Sequence, residues 1–287
     1  MSNASELRRL LTSGQTIVAP GAYDPILAKV VEHLRFSAVY MGGWMTGAHL
    51  ATTEPQTTLT EMVANASWIV RSVEIPLIVD ADAGFGDPLH AMRCVREFEH
   101  IGVAGIHIED QFYPKRASYH RGLEHVTPLN DFLDKMRFAI RARKDEEFVI
   151  IARTDARNAV GGSLEETIRR GQALKDLGAD VIMPMLRSRE DMLAFREAVP
   201  DIPLVQLAIF NGPSVEEIAE AGYQVIIYPL APIITAVGAV LELYSALKET
   251  GIAPYNPEKA NEVREFIQEI INLPQHFEIE DQTTERG

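Results

Sequence analysis

Short apolar runs bounded by Gly, Pro or Asp recur along the chain, and most are followed by a longer segment with apolar residues on a helical period. Runs of four to eight apolar residues without alternation fit strands buried on both faces, as in a parallel sheet covered by helices. They fall at 16–19, 38–42, 77–82, 105–109, 148–154, 181–183, 204–208 and 224–228. Amphipathic segments at 89–101, 129–143, 164–177 and 189–199 predict intervening helices. In "IGVAG" and "DLGAD", Gly102 and Gly178 stand between a helix and a strand, the C-cap position. Eight such alternations predict a closed (β/α)8 TIM-type barrel. A doubly wound sheet is the rival fold, disfavoured because no Gly-rich turn follows the first strand.

After the eighth strand come a long helix at 233–250 and a second at about 258–273, and this last one is extra to eight strand–helix units. The second alone would expose Val263, Phe266, Ile267, Ile270 and Ile271, so it needs a groove on this subunit or another. The expected organisation is a single barrel domain over 1–287, with a C-terminal helical extension at about 233–275 and a mobile, acidic tail at 276–287.

Composition narrows the class. The chain has 287 residues, which fits one large α/β barrel or two ordinary domains, and 46% of them are hydrophobic, enough for a full core. A net charge of −14 argues against a phosphate-backbone binder and against an anionic membrane surface. It leaves room for an anionic substrate, which needs only a local cluster of donors and a metal. The one cysteine, Cys94, allows no internal disulfide and suits a cytoplasmic location. Residues 1–11 carry no signal-peptide pattern, and polar residues interrupt every apolar stretch before membrane-spanning length.

In a barrel, reactive groups collect at the C-terminal ends of the strands. The third strand runs into "LIVDADAGFGD" with Asp80, Asp82 and Asp87; the fourth ends with His107, Glu109 and Asp110; the fifth ends with Arg153, Thr154 and Asp155. Period-two alternation puts Asp80 and Asp82 on one strand face, with Glu109 ending the next strand. Converging carboxylates stay ionised only beside a cation, and an all-oxygen set suits Mg2+ or Mn2+. No Cys/His cluster points to structural zinc. Arg153 offers a planar fork for a substrate carboxylate. A metal beside an arginine is a competent site for a 2-oxo acid and its enolate. Any one of these acids serves equally well as a helix N-cap; the set makes the case for a site. His107 is expected to point away from the carboxylates in a structural role.

At these residues the chain resembles the isocitrate lyase/phosphoenolpyruvate mutase superfamily. The matching segments are "VDADAGFGDP", "GIHIEDQFYPKR" and "IIARTDA", with "VYMGGW" and "IIYPLAP" in support, and the general layout is that of the methylisocitrate lyase branch. The resemblance implies a Mg2+ site at Asp80, Asp82 and Glu109, held partly through water. It implies substrate binding by Gly42, Gly43, Trp44, Asp80 and Arg153, and chemistry passing through a metal-bound enolate. It also implies a C-terminal helix swapped between subunits, in dimers that assemble into a homotetramer.

The lid after the fourth strand departs from the family pattern. Lyases of this family carry Lys-Lys-Cys-Gly-His or Lys-Arg-Cys-Gly-His there, with the cysteine as acid/base. Here "PKRASYHRG" puts Ala117 in the cysteine's place. Its length and Ser-x-His ending are nearer the phosphonomutase loop, whose asparagine is also missing. Lys115, Ser118, Tyr119 and His120 are left as candidate proton carriers. After strand six Met185 replaces a glutamate, and Leu207, Ala208, Ile209 and Phe210 make the next strand end apolar, although Gln206, Asn211 and Arg187 could restore polarity. Glu54 is the acid nearest an expected aspartate after strand two.

These features favour a carbon–carbon lyase or decarboxylase acting on a small 2-hydroxy or 2-oxo carboxylic acid, with Lys115, Tyr119, His120, Glu54 and Arg153 as catalytic candidates. A phosphonomutase or phosphonopyruvate hydrolase, and a non-catalytic oxo-acid-binding barrel, are the alternatives.

Overall fold

The computed structural model describes residues 2–117, 119–254 and 256–285, in two compact units, 1–231 and 232–287. In the first unit, α1 (Asn3–Thr12) precedes β1 (Ile17–Pro20), α2 (Pro25–His33), β2 (Val39–Met41), α3 (Gly43–His49) and a 3-10 turn, Glu54–Gln56. There follow α4 (Leu59–Ser72), β3 (Leu77–Asp80), α5 (Pro88–His100), β4 (Gly105–Glu109), α6 (Leu129–Ala142) and β5 (Val149–Thr154). The unit closes with α7 (Leu164–Leu177), β6 (Val181–Pro184), α8 (Arg189–Ala198), β7 (Val205–Leu207), α9 (Val215–Glu220) and β8 (Val225–Tyr228).

Local sequence sets the helix starts. Asp24, Thr58, Asp87, Ser163, Ser188 and Ser214 each accept a hydrogen bond from a first-turn backbone N–H. Thr58 with Glu61 and Ser214 with Glu217 complete reciprocal capping boxes. Gly178 ends α7 at φ +94°, where a side chain would be strained.

All strand pairs are parallel. β2-β3-β4-β5-β6 form a five-stranded sheet and β1-β8-β7 a three-stranded one. Single bridges at Gly21–Tyr40 and Ile182–Leu204 join the two, so the expected α/β barrel closes around a lumen with two thin seams.

Alternation divides each strand between two interiors. Val39, Met41, Leu77, Val79, Ile106, Ile108, Ile150, Ala152, Ile182 and Ile226 belong to the apolar core shared with the helices. The residues between them, including Tyr40, Asp80, His107, Glu109 and Arg153, are also buried but turn to the lumen. This corrects the expectation for His107. Positions 107 and 109 have the same parity, so His107 shares a face with Glu109.

The second unit holds α10 (Ala231–Thr250), α11 (Pro257–Ile270) and α12 (Leu273–Thr283). The last helix occupies chain expected to be a mobile tail. α10 also differs from expectation: its charged residues gather near the C-terminal end, so its 20 residues are long and apolar enough to cross a bilayer by those criteria alone. Ile234, Val237, Val240, Leu241, Tyr244 and Leu247 on α10 are exposed, as are Val263 and Ile267 on α11.

Candidate active site

Carboxylates from the Glu54–Gln56 turn, the end of β3 and its following turn, and the end of β4 converge on one buried ammonium. Lys115 Nζ lies 2.7 Å from Glu54 Oε1, 3.2 Å from Glu109 Oε2, and 3.7 Å from both Asp80 Oδ2 and Asp82 Oδ2. Lys115 is 2% exposed and Glu109 fully buried, so these charges face one another with little solvent screening.

Strand register accounts for part of the convergence. Asp80 pairs with His107 across β3–β4, and Glu109 with Arg153 across β4–β5. Arg153 Nη1 accordingly lies 3.0 Å from Glu109 Oε2. Asp82 arrives differently from the expected shared strand face: β3 ends at Asp80, and Asp82 lies in the following turn at φ +51°. Its N–H donates to Asp80 Oδ1 at 2.8 Å, and its carbonyl accepts from Glu109 N at 3.0 Å.

Glu54 is held by the close approach of α3. A Cβ on Gly43 would lie 2.2 Å from Glu54 Oε1, and one on Gly47 would lie 2.8 Å from Glu54 N. Gly43 N–H donates to Asp80 Oδ2 at 3.2 Å, so here this amide serves a carboxylate of the protein. Gly42 is the N-cap residue of α3, and Trp44 packs edge-on to Tyr119 with ring centroids 6.4 Å apart.

The charges shape one another. Burial alone would raise the Asp80 carboxyl, but Lys115, His107 and Arg153 outweigh it and hold Asp80 well below the ordinary carboxylate range. Burial dominates at Glu54, Asp82 and Glu109 and pushes them upward. For Lys115 burial would favour the neutral amine, yet the four carboxylates hold it well above the usual lysine value. His107 is brought down to about 4 by burial, reinforced by Arg153 and Lys115 against Asp80, and is therefore neutral near pH 7. Its Nε2 lies 2.9 Å from the Tyr40 hydroxyl.

The lid reaches in from above. The Tyr119 hydroxyl donates to Glu54 Oε2 at 2.7 Å. His120 Nδ1 accepts from Ala117 N–H at 3.0 Å, and its Nε2 lies 3.0 Å from the Thr53 hydroxyl. Ser118 lies outside the described residues. Met185 is half-buried, and Arg187, Ile209, Phe210 and Asn211 are exposed. Gln206 is buried, its amide donating to the Leu186 and Leu207 carbonyls.

The chain matches the phosphoenolpyruvate phosphomutase family over residues 7–248. It belongs to the isocitrate lyase/phosphoenolpyruvate mutase superfamily. It is 39% identical over 254 residues to 2,3-dimethylmalate lyase of Eubacterium barkeri, covering 86% of this chain and 87% of that one. Its fold superposes on oxaloacetate acetylhydrolase bound to the inhibitor 3,3-difluorooxalacetate with a TM-score of 0.90, at 32% identity and covering 100% and 98% of the two chains. Phosphonopyruvate hydrolase in complex with oxalate and Mg2+ gives a TM-score of 0.87, at 28% identity and covering 99% and 100%. These superfamily relatives are enzymes of small carboxylic acids, with carbon–carbon lyases among them.

Within this superfamily barrel two supporting carboxylates went unassigned in the sequence. Asp155 receives both Arg153 Nε and Nη2 at 2.9 Å, the two-pronged contact that fixes a guanidinium. The Arg-x-Asp spacing of a strand end was the available signal. Asp110 accepts from the Thr154 hydroxyl at 2.6 Å, Asp155 N at 2.9 Å and Arg170 Nη1 at 3.0 Å, tying β4 to β5 and α7. Burial raises its carboxyl to about 6, with Asp155 adding to the shift.

Proposed function

We propose that the protein is a Mg2+-dependent carbon–carbon lyase that cleaves or decarboxylates a small 2-hydroxy or 2-oxo carboxylic acid through an enolate. The carrying observation is the set of four buried carboxylates, Glu54, Asp80, Asp82 and Glu109, facing Lys115 beside Arg153.

The donor set fits a hard divalent cation. All the facing groups are carboxylate oxygens, and Glu109 Oε1 is buried without a hydrogen-bond partner. Among the described residues no three His, Cys, Asp or Glu side chains are grouped for joint ligation of one ion. It is the all-oxygen character of the donors that favours Mg2+, which keeps several of its waters, and Mn2+ could take its place. Asp80, Asp82 and Glu109 would hold the ion, Asp80 foremost because its neighbours keep it ionised. When bound, the ion supplies a Lewis acid for a carbonyl or alkoxide oxygen.

The chain's own residues would do the rest. Arg153, oriented by Asp155, presents a fixed cation to the substrate carboxylate. Gly42, Gly43 and Trp44 border the same space at the end of β2. Lys115 offsets negative charge as substrate enters. Met185, Leu207, Ile209 and Phe210 give the β6 and β7 ends an apolar character, suited to a substrate with alkyl rather than further carboxylate substituents. The likeness to 2,3-dimethylmalate lyase supports that substrate class. The exposed apolar residues of α10 and α11 further support a homo-oligomer, with helices exchanged between copies in a tetramer.

The test is a panel of oxaloacetate, methylisocitrate, isocitrate, 2,3-dimethylmalate, phosphonopyruvate and carboxyphosphonoenolpyruvate, each incubated with protein and Mg2+ and followed by NMR. A 2-oxo acid released by C–C cleavage, absent with Asp80→Ala or with EDTA, is the expected result. Phosphate release or a rearranged phosphorus–carbon bond would replace the lyase assignment with phosphonate chemistry. No turnover on any member would refute the stated substrate class.

A further inference from the structure

Cleaving a C–C bond next to a carboxylate leaves a carbanion that must be protonated, so the site needs an acid that holds its proton until the bond breaks. Ala117 supplies none. Among the described residues, few side chains with a transferable proton approach the carboxylate cluster, and most are committed elsewhere.

Arg153 does not deprotonate in a protein and is clamped by Asp155 and Glu109. Lys115 is the counter-charge of four carboxylates, which would be left uncompensated if it lost its proton. His107 lies in the lumen against Asp80 and the Tyr40 hydroxyl. Both ring nitrogens of His120 are engaged within the lid, by Ala117 N and Thr53.

Tyr119 is placed differently. The residue is 50% exposed, yet its hydroxyl turns inward to Glu54 Oε2. The other oxygen of Glu54 meets Lys115, so one carboxylate links the lid hydroxyl to the buried cluster. The Trp44 and His120 rings flank Tyr119, at centroid distances of 6.4 and 4.3 Å, and restrict its ring. Its proton is securely held: burial and Glu54 both raise the phenol above its ordinary range.

We propose that Tyr119 is the catalytic proton donor of this lid and that Glu54 both accepts the substrate's hydroxyl proton and reloads Tyr119. The proposal rests on the lyase assignment above. For a 2-hydroxy diacid, the C2 hydroxyl proton passes to the Glu54 carboxylate. The oxygen lone pair closes the C2=O bond, and the C2–C3 pair moves onto C3. C3 takes the Tyr119 proton, and the phenolate recovers a proton from Glu54. One O–H and one C–C bond break while one C=O and one C–H bond form. A 2-oxo acid and a simple carboxylic acid leave, with no net change in protons and no redox partner. In decarboxylation of a 2-oxo diacid, the pair of the bond to the departing carboxylate forms the enolate as CO2 leaves, Tyr119 protonates the enolate carbon, and a solvent proton passing through Glu54 restores the phenol.

The experiment compares wild type with Tyr119→Phe, which removes a single oxygen, on the panel member that wild type cleaves in Mg2+. Oxalate, a planar enolate mimic, serves as competitive inhibitor, and thermal unfolding checks integrity. The expected outcome is a kcat about 10²–10⁴-fold lower, with KM and the oxalate inhibition constant within about threefold of wild type, the range for loss of a general acid. Glu54→Gln should lower kcat comparably. A Tyr119→Phe kcat within about tenfold of wild type overturns the proposal and leaves the lyase assignment intact. So does a loss confined to KM and oxalate binding, which identifies Tyr119 as a lid latch. If wild type cleaves no 2-hydroxy or 2-oxo acid, the lyase assignment fails and the proton-donor role falls with it.

Discussion

Lys115 shows how much of this site depends on one long side chain. It brings a positive charge from the lid into a chamber of four carboxylates, and truncating one member of such a buried set typically costs about 3–5 kcal/mol. Lys115→Met keeps similar bulk and removes the charge. In EDTA its unfolding free energy from chemical denaturation should fall by an amount in that range, lowering the midpoint accordingly, and millimolar Mg2+ should restore more stability to the variant than to wild type. Equal midpoints with and without Mg2+ would show that the cluster does not bind the ion. The Lys115 contacts could not be read from the sequence. A lid residue's partners are set by how far the loop folds back, and no local pattern encodes that distance. His107 shows the opposite failure, since its parity with Glu109 was available and only the face was misassigned.

At the scale of elements, the approach of α3 to the Glu54–Gln56 turn is the critical packing. Alanine is favoured over glycine inside a helix by up to about 1 kcal/mol. At Gly43 that gain is opposed by a contact of 2.2 Å with Glu54 Oε1, where overpacking costs typically about 1–3 kcal/mol. The clash should win. Gly43→Ala is expected to displace Glu54 from Lys115 and Tyr119 and to lower turnover at least about tenfold, read from steady-state kinetics with thermal unfolding as control. Unchanged turnover would mean that Glu54 is dispensable. The strands around this packing were legible because burial on two faces writes uninterrupted apolar runs into the sequence. The turn carrying Asp82 was not, because its left-handed residue is an aspartate, where the usual signal would be glycine. α12 was missed for a related reason: its polar, acidic composition lacks the apolar period that marked the other helices.

For the whole molecule, the second unit makes the clearest demand. Val237, Leu241 and Tyr244 recur on α10 at helical spacing and are each at least 60% exposed. Such a stripe is stable in water when another surface covers it, and a second copy of the chain fits the proposed helix exchange. Light scattering should therefore give a multiple of the 31.9 kDa chain mass, and Leu241→Asp with Tyr244→Asp should shift it to smaller species. A monomeric wild type would contradict this.

The two seams of the barrel have a consequence for how the protein could diversify. The groups assigned to ion binding and proton transfer come from β2 to β5 and their loops, within one continuous sheet. Leu207, Ile209 and Phe210 come from the other sheet or its loop, joined to the first on that side by the single bridge at Ile182–Leu204. With the β7 end in its proposed role of selecting the substrate, mutational drift there can redraw which acids are admitted while the reactive half keeps its geometry. A lineage built this way inherits its reaction and renegotiates its diet.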